Sequence, residues 1–487
     1  MTTRPATTPT RHAMRRISGR LARRLALFLA AISALGAVAS DTNAPSLLPP
    51  KPKWLTEASL SVRESFDNNI FMSGVSASHL PAAYTLPDGG VAALKDQESW
   101  ITTLAPKVGF DFAPLLGTSG MLKALTLGYA PEFVTFHDAQ TESYDVHRLA
   151  AGIKLKRGDF SLTADNLFTY VDGSDTGPSY PGRTNAPTSY YSSFVNSTVR
   201  ERREQTQDRA NLVLLYDQPA WFVRGAGTLL NYNQLTRQLP AGTITNNGYL
   251  SHPDRNDANV GADFGYKLAT NFAVTIGYRI GAQRQEKLPA AIDKYGQTAS
   301  SDYQRLLLGF EGKPAKWLTA RVQAGPDFRS YTAAAPVRHE DPVTFYGEGL
   351  LEARASSSDT FTLKYKQWRW MSSTGKVPDD ETQFDLSYVR KLSDQLSLSL
   401  GARAARADYH CGLSYSKIKY TPENAITNPR DDWDYTGTAG LRYAFTPNIS
   451  ADLGYMLELG RNADGDVIDG TRNFNRQVAS LGVTLKF

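Results

Sequence analysis

The sequence predicts an all-β protein, a single closed antiparallel transmembrane β-barrel of about 18 strands, with short turns at one end and long loops at the other. Three observations support this fold class. Apolar and polar residues alternate along many segments, most of these segments are 9 to 15 residues long, and the connections between them alternate between short and long. Strands of soluble proteins average about five or six residues, whereas tilted membrane strands need about 9–11.

The alternation has a period of two, which is typical of strands with one apolar and one polar face. In segment 449–460 the apolar residues stand at odd positions, and in segment 272–283 they stand at even positions. Eighteen such segments are predicted, at 58–72, 98–112, 124–136, 145–156, 159–170, 208–216, 221–235, 258–268, 272–283, 303–311, 317–330, 342–355, 360–372, 381–392, 396–409, 432–445, 449–460 and 474–487.

The connections indicate which end of the barrel faces which side of the membrane. Tight turns are predicted at 156–159, 217–220, 269–271, 393–395 and 446–448, and long polar loops at 73–97, 171–207, 236–257, 284–302, 410–431 and 461–473. Bacterial outer-membrane barrels have short periplasmic turns and long outer loops. The alternative is a soluble β-sandwich, which hides its apolar faces between two sheets. Long strands with charges of both signs on the polar face favour the barrel.

The first 39 residues carry seven arginines and no acidic residue, and an apolar run from Leu25 to Val38 precedes Ala39. A basic segment, a short apolar run and a small-residue cleavage site are typical of a secretory signal peptide. We therefore predict a signal peptide at 1–39 cleaved after Ala39, a periplasmic segment at 40–57 and the barrel at 58–487. We expect the protein to be exported by the Sec route and to reside in the cell outer membrane.

The net charge argues against a nucleic-acid partner. Of 53 basic residues seven lie in the predicted signal peptide, so 46 remain against 48 acidic residues, a net charge of −2. Proteins that bind nucleic acid usually carry a basic patch on the folded domain. The predicted surroundings are instead the lipid bilayer and lipopolysaccharide.

The polar face of the predicted strands carries charges of both signs, which we assign to the lining of a hydrated pore: Arg224, Arg279, Glu348, Glu352, Lys364, Lys366, Arg403, Arg442, Asp452 and Glu458. Rings of basic residues favour anions, and the acidic residues should weaken this preference. A barrel of 16–18 strands leaves an aqueous channel. The function predicted is passive diffusion of small hydrophilic solutes.

Both ends of the predicted barrel resemble known outer-membrane proteins. The segment from Ser59 to Phe71, with Asp67, Asn68 and Asn69 before Ile70, resembles the first strand of the putative β-barrel porin 2 family. The resemblance implies a porin-like protein, and some members accompany exopolysaccharide export systems. An exit pore working with polysaccharide-export components is therefore the second hypothesis. The third is a structural or ligand-binding surface barrel. Phe487 resembles the terminal aromatic recognised by the barrel-assembly machinery.

Enzymatic activity is not expected, and neither is a cofactor or a bound metal. No G-x-S-x-G motif occurs, and most of the seven histidines fall in or beside predicted outer loops. Segment 462–470 has acidic and amide side chains at spacings similar to a calcium loop, but it lacks the glycine and glutamate of an EF-hand. Asp-Gly pairs are also common in turns, and a solvated hairpin loop is the simpler interpretation.

The single cysteine provides a test of the predicted topology. Cys411 falls in a predicted outer loop, so a membrane-impermeant maleimide should label it on intact cells. Labelling that requires lysis would mean that the strand assignment is inverted or broken.

Overall fold

The computed structural model describes residues 51–70, 72, 84–85, 91–92, 98–117, 120–172, 204–235, 254–286, 298–331, 343–371, 378–409, 430–462 and 473–487. The predicted signal peptide with Ala39, most of the predicted loop 171–207, Cys411 and residues 463–470 of the possible calcium loop lie outside these ranges.

Eighteen long strands form one sheet. In chain order they are β1 Leu55–Asp67, β2 Ser99–Asp111, β3 Leu122–Phe136, β4 Tyr144–Arg157, β5 Phe160–Asp172, β6 Gln205–Asp217, β7 Trp221–Gln234, β8 Arg255–Ala269, β9 Phe272–Gln285, β10 Ser301–Ala315, β11 Leu318–Tyr331, β12 Val343–Arg354, β13 Asp359–Met371, β14 Pro378–Lys391, β15 Leu396–Tyr409, β16 Arg430–Ala444, β17 Ile449–Asn462 and β18 Phe474–Lys486.

The sheet closes on itself. Each strand is antiparallel to the next along the chain, and β18 pairs with β1, with Leu60 opposite Leu485 and Asp67 opposite Val478. Closure removes the unpaired edges that could not be satisfied in lipid. The prediction of a closed antiparallel barrel of about 18 strands is confirmed.

The remaining described elements are short. They are an α-helix at Ala113–Leu116, a 3-10 helix at Gln140–Glu142 and a two-residue ladder between Tyr84–Thr85 and Val91–Ala92. In the described part of the chain no helix is both long and apolar enough to cross a membrane.

Several strands reach further than the alternation predicted. The first and last residues of the predicted loop 171–207 belong to β5 and β6. Strand β8 begins at Arg255, inside the predicted loop 236–257. Polar residues occupy both faces of these strand ends, so the period-two signal fades there although the hydrogen bonding continues. The first strand was placed too late: β1 spans Leu55–Asp67, whereas 58–72 was predicted.

The two faces of the sheet differ in the described strands. Large apolar side chains such as Ile276, Leu308 and Leu453 are exposed on one face, which we call the outer face. The opposite, inner face carries most of the charged residues. Exposed aromatic residues near strand ends, including Trp317, Phe361 and Tyr435, fit the interfacial girdles of membrane barrels.

Candidate functional site: the inner face of the barrel

The strand register places all ten predicted lining residues on the inner face. Arg224 lies opposite Asp263, and Glu348 lies opposite Lys366, so these side chains share one side of the sheet. The same register places the others: Arg279 opposite Gly261, Lys364 opposite Leu350, Glu352 opposite Thr362, Arg403 and Glu458 opposite Thr436, and Arg442 opposite Asp452. Whether they line an open pore stays a prediction.

The ten residues do not form one uniform set. Lys364, Lys366, Arg403 and Arg442 are exposed. In contrast, Arg279 and Glu458 are buried in ion pairs. The inner face therefore has two kinds of charge: some reach solvent, and others hold neighbouring strands together.

A first buried cluster lies in the half of the barrel nearer the short turns. Asp263 of β8 accepts hydrogen bonds from Arg224 at 2.8 Å and from Arg279 at 2.9 Å, and Arg224 also binds Glu311 of β10. A side chain at Gly277 would meet the Asp263 carboxylate at 2.3 Å. Glycine at this position gives the carboxylate room to lie flat against the wall. The cluster links β7, β8, β9 and β10.

A second buried cluster lies near the long-loop end. Asp327 of β11 has no exposed surface and pairs with Arg305 at 2.9 Å and with Arg329 at 2.8 Å. Both guanidinium groups stack on Tyr303, whose hydroxyl donates to Asp257. Charged groups that leave water need such complete pairing, because an unpaired buried charge costs several kcal/mol.

The end of β13 nearer the long loops, which we call its outer end, contacts strands that are not its neighbours in the sheet. Arg255 of β8 donates to the Met371 carbonyl at 2.9 Å, although five strand positions separate β8 from β13. Gln283 of β9 and Arg329 of β11 donate to the carbonyl of Arg369 at 3.3 and 3.1 Å. We call these three contacts the β13 clamp. Arg369 and Met371 are buried as a result.

Aromatic rings flank the β13 clamp. The Arg255 guanidinium lies 5.1 Å from the centre of the Tyr232 ring and 5.9 Å from that of Trp370. The clamp therefore holds the outer end of β13 against the inner face of β9 to β12. At this level, near the long loops, β13 narrows the space inside the barrel. The alternating pattern along the chain does not indicate this contact, because the contact joins strands that are distant in the sheet.

Two further contacts on the inner face were not predicted. At the seam of the barrel, Arg476 of β18 binds Asp67 of β1 at 2.7 Å and Glu458 of β17 at 2.9 Å. Nearby, an apolar group of Ile70, Ile101, Val134 and Phe136 is buried together. Ile101 and Val134 are apolar residues on an otherwise polar face, and the contact with Ile70 explains this exception.

The described residues offer little for catalysis or metal binding. No group of three or more His, Cys, Asp or Glu among them could hold a metal ion. The nearest approach to a catalytic arrangement is Thr102, whose hydroxyl contacts His137 Nε2 at 2.7 Å and Glu64 at 2.6 Å. Glu64 also lies 3.6 Å from the same Nε2. A catalytic triad needs the carboxylate on the other ring nitrogen, which orients the imidazole toward the nucleophile.

Comparison with known proteins gives distant structural matches. No protein-family model and no curated protein matches the chain, so the resemblance to the putative β-barrel porin 2 family stays a prediction. Among solved structures, OccK2 (OpdF) of Pseudomonas aeruginosa in complex with glucuronate is 14% identical, with a TM-score of 0.39, over 88% of this chain and 98% of that chain.

Two other matches are equally distant. OccAB3 of Acinetobacter baumannii is 12% identical, with a TM-score of 0.38, over 88% of this chain and 99% of that chain. A BenF-like porin of Pseudomonas fluorescens Pf-5 is 10% identical, with a TM-score of 0.38, over 88% and 98%. At such low similarity the functional argument depends on the residues of this chain.

Proposed function

We propose that the protein is an outer-membrane channel for passive diffusion of small hydrophilic solutes. The observation that supports this most strongly is the setting of Lys366. Its side chain is exposed on the inner face of β13, opposite Glu348 of β12 and Gln383 of β14, with the ammonium 4.4 Å from the centre of the Trp368 ring. A lysine on the inner face of a closed barrel that still reaches solvent indicates water inside the barrel.

The proposed location is the outer membrane, reached by Sec export with removal of the signal peptide. Closed barrels with an exposed apolar outer face and short turns at one end belong to that membrane. The expected surroundings are lipopolysaccharide and phospholipid. Insertion would depend on the barrel-assembly machinery.

A solute assay tests the channel directly. Liposomes that contain the refolded barrel should swell in small sugars and amino acids and should exclude large oligosaccharides, because the β13 clamp narrows the lumen. Liposomes with heat-denatured protein are the control. Swelling in long oligosaccharides would favour the alternative of a polysaccharide exit pore. No swelling in any solute would favour a structural or ligand-binding barrel.

Charge reversal tests the assignment of β13 to the pore. Lys364 and Lys366 are exposed on the inner face, so changing both to Glu should move ion selectivity from anions toward cations. The measurement is the reversal potential in a salt gradient. The matched control is Lys313→Glu with Lys316→Glu, which alters two lysines at the short turn between β10 and β11. Unchanged selectivity in a conducting Lys364/Lys366 variant would remove β13 from the pore lining.

Phe487 tests the proposed role of the assembly machinery. Its ring is exposed on the outer face, and its amide donates to the carbonyl of Ala58 at 2.9 Å. Loss of one exposed ring should leave the folded barrel nearly as stable as before. Deletion of Phe487 should therefore reduce the amount of barrel in the outer membrane, while the variant still refolds in detergent. Normal insertion in cells would contradict this role, and so would failure to refold.

A further inference from the structure

The outer face of the barrel carries an apolar groove across β14 to β17, from the middle of these strands toward the long loops. Its floor is formed by small residues, Ala402 and Ala404 of β15 and Gly437 of β16. Larger apolar side chains of β14, β16 and β17 form its sides: Phe384, Leu386, Tyr435, Leu457 and Leu459. The volume is about 380 Å³, within the range of about 300–1,000 Å³ found for ligand sites.

The middle of this groove is open space. A side chain built on Gly437 would meet no atom within 4 Å, and the φ of Gly437 is not positive, so neither packing nor backbone conformation requires glycine there. The gap is about two strands wide, since neighbouring strands lie about 4.8 Å apart. An apolar gap of this width on a face that meets hydrocarbon fits an acyl chain.

Two arginines and a tryptophan form a row on the long-loop side of the groove. Arg406 of β15 lies opposite Trp433 of β16, and Trp433 lies opposite Arg461 of β17. The Trp433 ring stacks on Tyr435 with 5.5 Å between the ring centres, and the Arg406 guanidinium lies 5.7 Å from the centre of the Trp433 ring. Basic residues beside an apolar surface are typical of sites for anionic lipid headgroups.

The positive charge of Arg461 is not neutralised by any carboxylate in the described part of the chain. Its guanidinium donates to the carbonyls of Gly460 at 2.6 Å and Phe474 at 2.8 Å, and to the Asn475 side chain at 2.7 Å. These contacts use three of the five N–H donors of an arginine and fix the group in an exposed position. The two remaining donors are suited to an oxyanion such as a phosphate.

Arg406 has a supporting position in the row. Asp431 accepts hydrogen bonds from its Nε at 2.9 Å and its Nη2 at 2.8 Å, and Asp408 lies 3.1 Å from the same Nη2. These carboxylates hold the guanidinium in place and offset its charge. The Nη1 group takes no part in these contacts and points no donor at either carboxylate. Arg461 therefore supplies most of the attraction for an anion, and Arg406 adds a donor.

The other side of the barrel does not offer the same charge at this level of the outer face. Asp145 of β4 lies opposite Asp172 of β5, so two acidic residues adjoin there. Arg284 of β9 is exposed, but it is paired with Asp302 of β10. A lipid phosphate is thus favoured beside Arg461 over these other positions.

We infer that the groove and Arg461 form a binding site for the lipid A part of lipopolysaccharide, with an acyl chain along Ala402, Ala404 and Gly437 and a phosphate on Arg461. The long loops of an outer-membrane barrel face outward, so the site lies in the outer leaflet. Lipid A combines phosphate groups with several acyl chains, which matches a basic row beside an apolar groove. The inference depends on the proposed outer-membrane location and does not depend on conduction.

Native mass spectrometry of the refolded full barrel in detergent, titrated with purified lipid A, tests the inference. The wild type should retain one lipid A molecule per barrel and should bind dephosphorylated lipid A and phosphatidylglycerol much more weakly. Arg461→Gln should weaken binding of lipid A about tenfold, the usual effect of losing a hydrogen bond to a charged group. Gly437→Leu should also weaken it, because the new side chain fills the groove without meeting another protein atom.

The matched controls are the same two chemical changes elsewhere on the outer face. Gly225→Leu on β7 adds a side chain whose nearest neighbour is Leu214 at 3.9 Å, and Arg284→Gln removes an exposed arginine from β9. Both should bind lipid A like the wild type. Equal binding of lipid A and phosphatidylglycerol, or wild-type binding by Arg461→Gln and Gly437→Leu, would overturn the inference. A barrel that fails this test and still conducts leaves the proposed channel standing.

Discussion

Changing Asp327 to Asn should lower the free energy of unfolding of the barrel by about 3–5 kcal/mol, the usual cost of removing one partner from a buried ion pair. The carboxylate is fully buried, and the side chains of its partners Arg305 and Arg329 are 9% and 0% exposed. The amide of the Asn variant carries no negative charge, so the buried guanidinium groups of Arg305 and Arg329 lose their shared counter-charge. Because Arg329 also holds the carbonyl of Arg369, the loss should extend to the β13 clamp.

The measurement is the midpoint and slope of urea unfolding of the refolded barrel in lipid vesicles, followed by tryptophan fluorescence. The matched control is Asp302→Asn on the neighbouring strand β10, where the carboxylate is 56% exposed and pairs with Arg284. A surface pair contributes less than about 1 kcal/mol. Equal destabilisation by the two changes would show that the buried cluster does not hold the strands together.

Changing Arg255 to Met should raise the single-channel conductance roughly twofold, since the width of the narrowest level limits the flow. The substitution removes the donor to the Met371 carbonyl and the cation that lies against Tyr232 and Trp370. Without this contact Met371 can return toward the neighbouring strands in the wall, while Gln283 and Arg329 still hold the carbonyl of Arg369. The unfolding midpoint should fall only slightly, because Arg255 is partly exposed.

Two variants make this experiment decisive. Arg255→Lys retains a positive charge and a donor and should restore part of the narrowing. Arg63→Met removes an exposed arginine from the inner face of β1, away from the β13 clamp, and should leave the width of the channel unchanged. If Arg255→Met conducts like the wild type, the contact between Arg255 and Met371 does not set the width of the pore.

The barrel was predictable from the sequence because its signals are local. Alternation along a strand such as β9 sorts Ile276 and Ile280 to one face and Arg279 to the other, and a one-residue shift would reverse every side chain. Short turns then join neighbouring strands. The same parity placed the ten predicted lining residues on the inner face.

The contacts inside the barrel were not predictable in this way. The opposition of Arg305 and Asp327 follows only once the register of β10 against β11 is known. The β13 clamp joins strands that are two to five positions apart in the sheet, so no local pattern encodes it. Glycines on the inner face carry a weak signal that sequence reasoning missed. A side chain at Gly281 would meet the Tyr303 ring at 2.4 Å, which indicates that a large group packs there.

The central claim is that the barrel holds a water-filled path lined mainly by positive charge, and conductance across a planar lipid bilayer tests it most directly. Purified barrel, shown to be folded by its shift on heating in gel electrophoresis, should give stable current steps proportional to voltage. In a potassium chloride gradient the reversal potential should have the sign for chloride preference. Folded barrel that inserts and passes no current, or that prefers potassium, would contradict the account.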